Sequence, residues 1–348
     1  MTDPNHHPFQ SALDKAMATG DYLVQARVVA TQGSTYRKSG ARMLFTAQGQ
    51  QLGLVSGGCL ESSLAQVARQ VMATGRSIIK FYDFRAQGDQ ELDDVAWSLG
   101  GGCNGAVKVM VERLGPDNQY VPLKSYLDAL RGTEDVWLFS DQQGVEHQLL
   151  PKNHEWIEPQ ALAQEKVIEI ESQRGTGFVE KMSPAPGLLI FGAGADAPPL
   201  VQLASRLGYR VWVLDCRDQL IQRMQFNTGI QPEFCQPENL NDWLQSKWVQ
   251  AAMIMSHSID LDQRVLAQSE IQQLPYLGLL GPADRKANII KKLHLDLPNL
   301  HGPAGLDLGG EGPDAIALSV MAEIQQTLQG YQGGSLNSKT IGIHDRGK

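Results

Sequence analysis

The stretch "LLIFGAGADA" (188–197), followed by "VWVLDCR" (211–217), decides the fold of the second half of the chain. "LLIF" is a short apolar run of the kind that forms a buried strand. Gly192 and Gly194 stand where that strand must turn tightly into a helix, and Ala197 takes a third small position. "APPLVQLASRLG" (197–208) reads as the helix. Pro198 and Pro199 are tolerated in its first turn alone, where a missing N–H has no partner to lose. The next strand, "RVWVLD" (210–215), ends in Asp215. Strand, glycine turn, helix and a strand ending in an acid about 20 residues on match the dinucleotide-binding fingerprint. There the phosphate rests on the helix N-terminus and the acid holds a ribose. Two readings of the turn remain open. Gly192, Gly194 and Asp215 form a site for NAD(P) or another nucleotide, or the small residues only pack helix on strand. Asp196, inside the loop, would repel a phosphate.

Outward from this turn, "AAMIMS" (251–256) and "YLGLL" (276–280) are further apolar strands, each followed by a helical pattern. Such alternation predicts a Rossmann-like, doubly wound parallel sheet with helices on both faces. The fold class is therefore α/β, with a mixed α+β domain in front of this sheet. "SPAPG" (183–187) is a natural linker. The expected division is an N-terminal domain over 1–115, a connecting β-rich segment and linker over 116–185, the Rossmann-like domain over 186–330 and a flexible tail over 331–348.

The N-terminal pattern is a helix over 9–20, a strand over 22–30, two strands around a Gln48-Gly49 turn, a helix after residue 59, and strands in "SIIKFYDF" (77–84) and "AVKVMVERL" (106–114). A further hairpin is expected to turn at Gln143-Gly144.

The chain has 348 residues and a formal net charge of −8. That balance argues against a general electrostatic nucleic-acid binder, which would usually be basic. No apolar run reaches the roughly 18 residues needed to span a bilayer, and the N-terminus lacks the charged-then-apolar pattern of a secretory signal. A cytoplasmic protein without a membrane partner is expected. The four cysteines, Cys59, Cys103, Cys216 and Cys235, have no C-x-x-C spacing and are expected as free thiols.

Two of them are presented by glycines. "SGGC" brings Gly57 and Gly58 to Cys59, and "GGGC" brings a second glycine run to Cys103. Leu60, Leu64, Val67, Ala68, Val71 and Met72 repeat at helical spacing after Cys59, with Thr74-Gly75 as the stop. Cys59 thus sits at or just before a helix N-terminus, where free N–H groups favour a thiolate. Soft thiolates suit molybdenum, copper or persulfide chemistry. The alternative is two packing cysteines beside tight turns. "GSTYRKSGARMLF" (33–45) clusters Arg37, Lys38 and Arg42 near glycines, as a phosphate site or as a solvated face. His257 falls at a strand end, where a lone histidine is more often structural.

Taken together, these motifs resemble the XdhC/CoxI family, the maturation factors of xanthine dehydrogenase and related molybdenum hydroxylases. "GSTYRKSGARML", "GLVSGGCLE" and "GGGCNGAVKVMVE" look like the family's N-terminal domain. The glycine turn, "YLGLLG" and "HGPAGLDLGGEGPDAIALSVMAEI" (301–324) look like its Rossmann domain. The resemblance implies a chaperone more than a turnover enzyme. Such a chain binds molybdenum cofactor (molybdopterin), supports its sulfuration with a cysteine desulfurase, and helps load the apo-hydroxylase. Cys59 and Cys103 then occupy the positions of the family's two cysteines, as ligands or sulfur relays beside the metal. Glycine-loop amides and basic side chains, Arg37 and Arg42 among them, hold the phosphate and pterin. A homodimer is the expected assembly. The rivals are an NAD(P)-dependent oxidoreductase and a non-catalytic scaffold with an empty Rossmann domain.

Three positions depart from the family's pattern. Ala195 stands where many relatives have a histidine, Ile259 replaces a second histidine, and Pro282 replaces a serine before the thinned basic pair Arg285-Lys286. In the glycine-rich loop over 301–312, Asp307 is expected to border a cleft between the domains and close over bound cofactor. Pro313 then opens a helix that packs Ile316, Ala317, Val320, Met321 and Ile324 on the sheet.

Overall fold

A computed structural model describes residues 6–58, 60–84, 105–157, 165–172 and 175–338. The chain divides into two units, one ending at Pro184 and the other beginning at Ala185. The boundary falls inside the "SPAPG" segment.

The first unit is built on two antiparallel sheets. Helix α1 (His6–Thr19) leads into β1 (Leu23–Gly33), β2 (Arg42–Thr46) and β3 (Gln51–Gly53). Helix α2 (Glu61–Thr74), β4 (Ile78–Asp83) and β5 (Gly105–Leu114) follow, and the strands assemble in the order β3-β2-β1-β5-β4. The β2–β3 hairpin turns at Gly49, which takes a φ of 81°. Helix α3 (Val121–Arg131) precedes β6 (Val136–Asp141), β7 (His147–Leu150), β8 (Val167–Ser172) and β9 (Gly175–Met182), in the order β7-β6-β9-β8. The segment from 116 to 184 therefore adds a sheet of its own to the unit that holds 6–115.

Strand β1 explains how the layers stack. Its side chains alternate between faces, and both faces are covered. Val24, Ala26 and Val28 pack with Leu64, Val67, Ala68 and Val71 of α2. On the other face Val29 meets Phe178 and Val167 of the second sheet, and Arg27 reaches Glu180 of β9 at 2.8 Å. A strand covered on both faces reads as a near-continuous buried run, and Leu23–Val29 is buried throughout.

The second unit carries the parallel sheet. Its strands are β10 (Gly187–Phe191), β11 (Arg210–Asp215), β12 (Glu233–Phe234), β13 (Ala251–Ile254), β14 (Tyr276–Leu279) and β15 (Leu300–His301), in the order β12-β11-β10-β13-β14-β15. Every pairing in it is parallel. The helices are α4 (Ala197–Arg206), α5 (Asp218–Arg223), α6 (Leu240–Gln245), α7 (Ile259–Leu266), α8 (Ser269–Gln272), α9 (Ala283–Leu293) and α10 (Pro313–Gln329). On one face α4 and α10 pack with Leu188, Ile190, Val211 and Val213. On the other, α6 to α9 bring Leu240, Val265, Ile271 and Ile289 against Leu189, Phe191, Leu214 and Ile254. The sheet is thus doubly wound, as its sequence alternation requires. Strand order reverses at β10, between β11 and β13, which is the switch point where open α/β sheets bind ligands.

Helix α10 begins at Pro313, and Ala317, Val320, Met321 and Ile324 are buried on the sheet. Ile316, expected with them, instead remains 37% exposed. It lies at the edge of the apolar stripe, whose centre is set by the 317–320–321–324 spacing. Among the described residues no helix is long and apolar enough to cross a membrane.

Candidate functional site

The loop before α2 is held by one side chain. The Glu61 carboxylate accepts from the Ser56 amide at 2.9 Å, from the Ser56 hydroxyl at 2.5 Å and from the Leu60 amide at 3.1 Å. The Leu60 amide also donates to Ser56 Oγ at 2.9 Å. Residues 56 and 60 are thereby tied together across "SGGCL". Burial disfavours the Glu61 charge, but the hydrogen bonds from Ser56 and Leu60 outweigh it and hold the carboxyl below its ordinary value. The same carboxylate occupies the first turn of α2, where the helix dipole favours a negative charge. Cys59 itself lies outside the described residues. Gly57 and Gly58 are both exposed, and Gly58 takes a φ of 109°, open to glycine and strained for other residues.

The ring of Tyr36 lies against this loop. A Cβ on Gly57 would stand 3.6 Å from Tyr36 Cδ2, and the tyrosine is 56% exposed. Tyr36 belongs to "GSTYRK", so two of the N-terminal motifs meet here. The third arrives through β5. Gly33 is paired with Gly105, and a Cβ on Gly105 would meet Ser34 O. Gly105 follows Cys103 by two residues in the sequence; residues 85–104, Cys103 among them, lie outside the described residues.

The basic cluster divides. Arg37 and Lys38 are partly exposed. Arg42, expected as a phosphate ligand beside them, is buried in the core. Its guanidinium bonds Glu180 Oε2 at 2.6 Å and Gly40 O at 2.8 Å, and stacks over the Tyr126 ring at 4.0 Å. The physical reason is strand position. Arg42 is paired with Arg27 across β1 and β2, and both arginines converge on the same Glu180. The Arg27 and Arg42 charges and their hydrogen bonds overcome burial and keep Glu180 below the usual carboxylate range. Arg42 is thus a partner of a buried acid, whereas Arg37 and Lys38 remain partly exposed.

At the switch point Gly192 takes a φ of 127°, and a Cβ there would stand 2.5 Å from Met255 O. Glycine is required at 192 for packing against the β13 end. Gly194 is less crowded, with His257 Cδ2 3.6 Å from its ideal Cβ. Asp215 is fully buried. Its Oδ2 accepts from the Ala193 amide at 2.8 Å and from Arg217 Nη2 at 2.8 Å. Its Oδ1 accepts from the Arg217 amide at 2.9 Å and from Arg217 Nε at 2.8 Å. Burial opposes the charge, but the Arg217 and Ala193 hydrogen bonds prevail and lower its pKa. A carboxylate has about four acceptor positions, and all four are engaged by the protein. Asp215 therefore anchors the glycine turn and Arg217, an arrangement that leaves no lone pair for a ribose hydroxyl.

Above the turn His257 holds a positive φ of 59°, uncommon for a residue with a side chain. Its Nε2 is 2.9 Å from Asp196 Oδ2. Arg217 Nη1 donates to Ser256 O at 3.0 Å, and Ser256 Oγ donates to Asp262 Oδ1 at 2.5 Å. Arg285 closes the network with two bonds to Asp262 Oδ2, one at 3.0 Å. Lys286 donates to Leu300 O. Arg285 and Lys286 are accordingly committed inside the unit. Among the described residues no group of three or more His, Cys, Asp or Glu side chains could hold a metal ion.

Asp307 is exposed in the loop after β15. The start of that loop is fixed by Glu323 of α10, which accepts from Tyr276 Oη and from the Gly305 amide, both at 2.7 Å, and pairs with His301 Nδ1 at 3.0 Å. Beyond Asp307, Gly309, Gly310 and Gly312 all have positive φ.

Family models now place these two sites in one lineage. The model described as the XdhC and CoxI family matches residues 16–83, and the XdhC Rossmann domain matches residues 188–324. A Bacillus subtilis (strain 168) protein, described as a probable xanthine dehydrogenase subunit, is 32% identical over 92% of this chain and 97% of its own length. This chain belongs to the XdhC and CoxI family. Another relative is "Molybdenum cofactor insertion chaperone PaoD" of Escherichia coli (strain K12), 23% identical over 93% of this chain and 89% of its own. The crystal structure of a xanthine dehydrogenase from Bacillus halodurans matches with a TM-score of 0.73 at 28% identity, covering 98% of both chains.

Within this XdhC and CoxI chain, the three departures fall in the segments that follow β10, β13 and β14 of the parallel sheet. Ala195 neighbours Asp196, Ile259 opens α7 half exposed, and Pro282 caps α9. Sequence reasoning passed over Ser56, Glu61 and Tyr36, and did not pair Asp196 with His257. Glu61 had a signal, an acid in the first turn of a helix that follows a glycine loop. Ser56 acts locally, through Glu61 five residues on, whereas the Tyr36 and Asp196–His257 contacts join distant segments.

Proposed function

We propose that this chain is an accessory factor in molybdenum cofactor maturation, which carries the cofactor as cargo on its N-terminal unit. The observation that carries the reading is the Glu61 clamp, which ties Ser56 to Leu60 and leaves Gly57 and Gly58 exposed beside the Tyr36 ring. Exposed glycine amides suit phosphate. The aromatic face suits a flat heterocycle, and a thiol at position 59, ahead of α2, suits a soft metal. The family match and the kinship with a molybdenum cofactor insertion chaperone support the same cargo. Arg37 and Lys38 supply positive charge near this loop, and Cys103 is the second candidate thiol.

In this reading the protein holds a labile species away from bulk water and releases it to an apo-hydroxylase. A cysteine desulfurase supplies the sulfur that replaces an oxo ligand. The reading predicts a transfer experiment. Cofactor-loaded protein mixed with a molybdenum hydroxylase apo-enzyme should yield active enzyme, and the yield should rise when a cysteine desulfurase and cysteine are included. Loaded protein that transfers nothing under either condition would leave the chaperone role without support.

An NAD(P)-dependent oxidoreductase is the less favoured reading. The four internal hydrogen bonds of Asp215 compete directly with ribose recognition, and Asp196 opposes a phosphate at the same turn.

A further inference from the structure

Two cysteines away from the candidate cofactor loop directly follow the neighbouring strands β11 and β12 at the edge of the parallel sheet. Asp215, the last residue of β11, is paired with Phe234, the last of β12, and the Cys235 amide donates to Asp215 O at 2.9 Å. The strands end at Asp215 and Phe234, and the pairing continued by one residue would set Cys216 beside Cys235. Neighbouring strands lie about 4.8 Å apart, within the roughly 4.4–6.8 Å between α-carbons that a disulfide spans. The faces also agree. Side chains alternate along a strand, so continued alternation would give Cys216 the face of Leu214, and Cys235 belongs to the apolar cluster that holds Leu214, Leu240 and Leu244.

The two thiols differ in access. Cys216 is partly exposed, whereas Cys235 is 5% exposed. They differ in charge environment as well. Burial pushes both thiols up, and the Asp215 carboxylate adds to this at Cys216; there the Arg217 and Arg264 guanidiniums work the other way. At Cys235 the carboxylate of Glu233, the Cys216 thiolate and the Glu238 carboxylate all add to burial. Cys216 is thus the thiol that an outside reagent reaches, and Cys235 the one that follows.

We propose that Cys216 and Cys235 form a vicinal dithiol that exchanges with low-molecular-weight disulfides and closes into an intramolecular disulfide across the ends of β11 and β12. In the first step the Cys216 thiolate attacks one sulfur of the small disulfide. An S–S bond forms to Cys216, and the other half leaves as a thiolate that takes a proton. In the second step the Cys235 thiolate attacks Cys216 Sγ and expels the second small thiol. The protein dithiol is oxidised by two electrons, and one small disulfide is reduced to two thiols. The bond would pin the two-residue edge strand β12 to β11 beside Arg217, whose guanidinium ties Asp215 to Ser256 O. The state of this dithiol would thereby reach the anchor of the glycine turn.

The test uses the full-length protein incubated with glutathione disulfide, quenched by alkylation and mapped by peptide mass spectrometry. The wild type should yield the peptides containing Cys216 and Cys235 joined to each other. Cys235→Ser should stop at the first step, with one glutathione on Cys216. Cys216→Ser should leave Cys235 free of glutathione and open to alkylation only after denaturation. The inference is overturned if wild-type Cys216 accumulates as the glutathione adduct, if it pairs with Cys59 or Cys103 instead, or if both thiols stay reduced in excess glutathione disulfide.

Discussion

His257 Nε2 stands 2.9 Å from the Asp196 carboxylate, directly over Gly194 of the glycine turn. This is the place a phosphate would take at the N-terminus of α4, and a carboxylate already occupies its approach. Asp196→Asn should therefore strengthen binding of pyrophosphate or ADP at this turn by about tenfold, because it removes one like charge. Titration calorimetry of the variant against wild type checks this. Equal affinities would show that the turn recognises no anion.

Arg42 supplies a test of placement. It is buried and bonded to Glu180, so Arg42→Ala should destabilise the first unit by about 3–5 kcal/mol, the usual cost of breaking a buried pair. Urea unfolding measures it. A loss under about 1 kcal/mol would return Arg42 to the surface cluster that its sequence neighbours suggest.

Much of the fold was legible because its signals are local. The strand–glycine–helix turn at 188–197, the period of the helix after residue 60 and the Gly49 and Gly144 turns each follow from short-range sterics or from one-faced burial. Strand β1 also follows the strand read over 22–30. Its second partner, the sheet containing Glu180, could not be read, because that contact joins residues 153 apart. The same distance concealed the fate of Arg42. Nothing within "SGARML" separates an arginine that meets solvent from one that meets a buried acid. Asp215 was found by its spacing, yet its occupation by Arg217 depends on how a side chain two residues away folds back. Tyr36 was invisible for the same reason, since its neighbour Gly57 lies on another loop.

Glu61 should act on loop geometry more than on the thiol itself. Glu61→Ala removes three accepted hydrogen bonds and should cost about 2 kcal/mol in urea unfolding. The wild-type carboxyl is held below its unfolded value, so its contribution is present above about pH 4.3 and fades as pH falls through the lower folded value. Glu61→Gln should flatten that acid limb. An unchanged limb would deny the clamp.

The same sign applies to Asp215. Its folded pKa is depressed, so the stability it contributes is complete above about pH 3.9 and is lost as pH drops through the folded value. Asp215→Asn should cost the second unit about 2–3 kcal/mol near neutral pH and make its melting less sensitive to acid. Calorimetric melting across an acid series checks this. A variant as stable as wild type would mean that the carboxylate is free for a ligand.

The central claim is that the loop before α2 carries molybdenum cofactor. The direct measurement is the molybdenum and pterin content of wild type and Cys59→Ala, each purified from molybdenum-replete cells and matched for folding by circular dichroism. We expect wild type to contain both in equal amounts and Cys59→Ala to lose at least about tenfold of each, a factor equivalent to about 1.4 kcal/mol of binding. Equal molybdenum and pterin in the two proteins, or none in wild type, would contradict it.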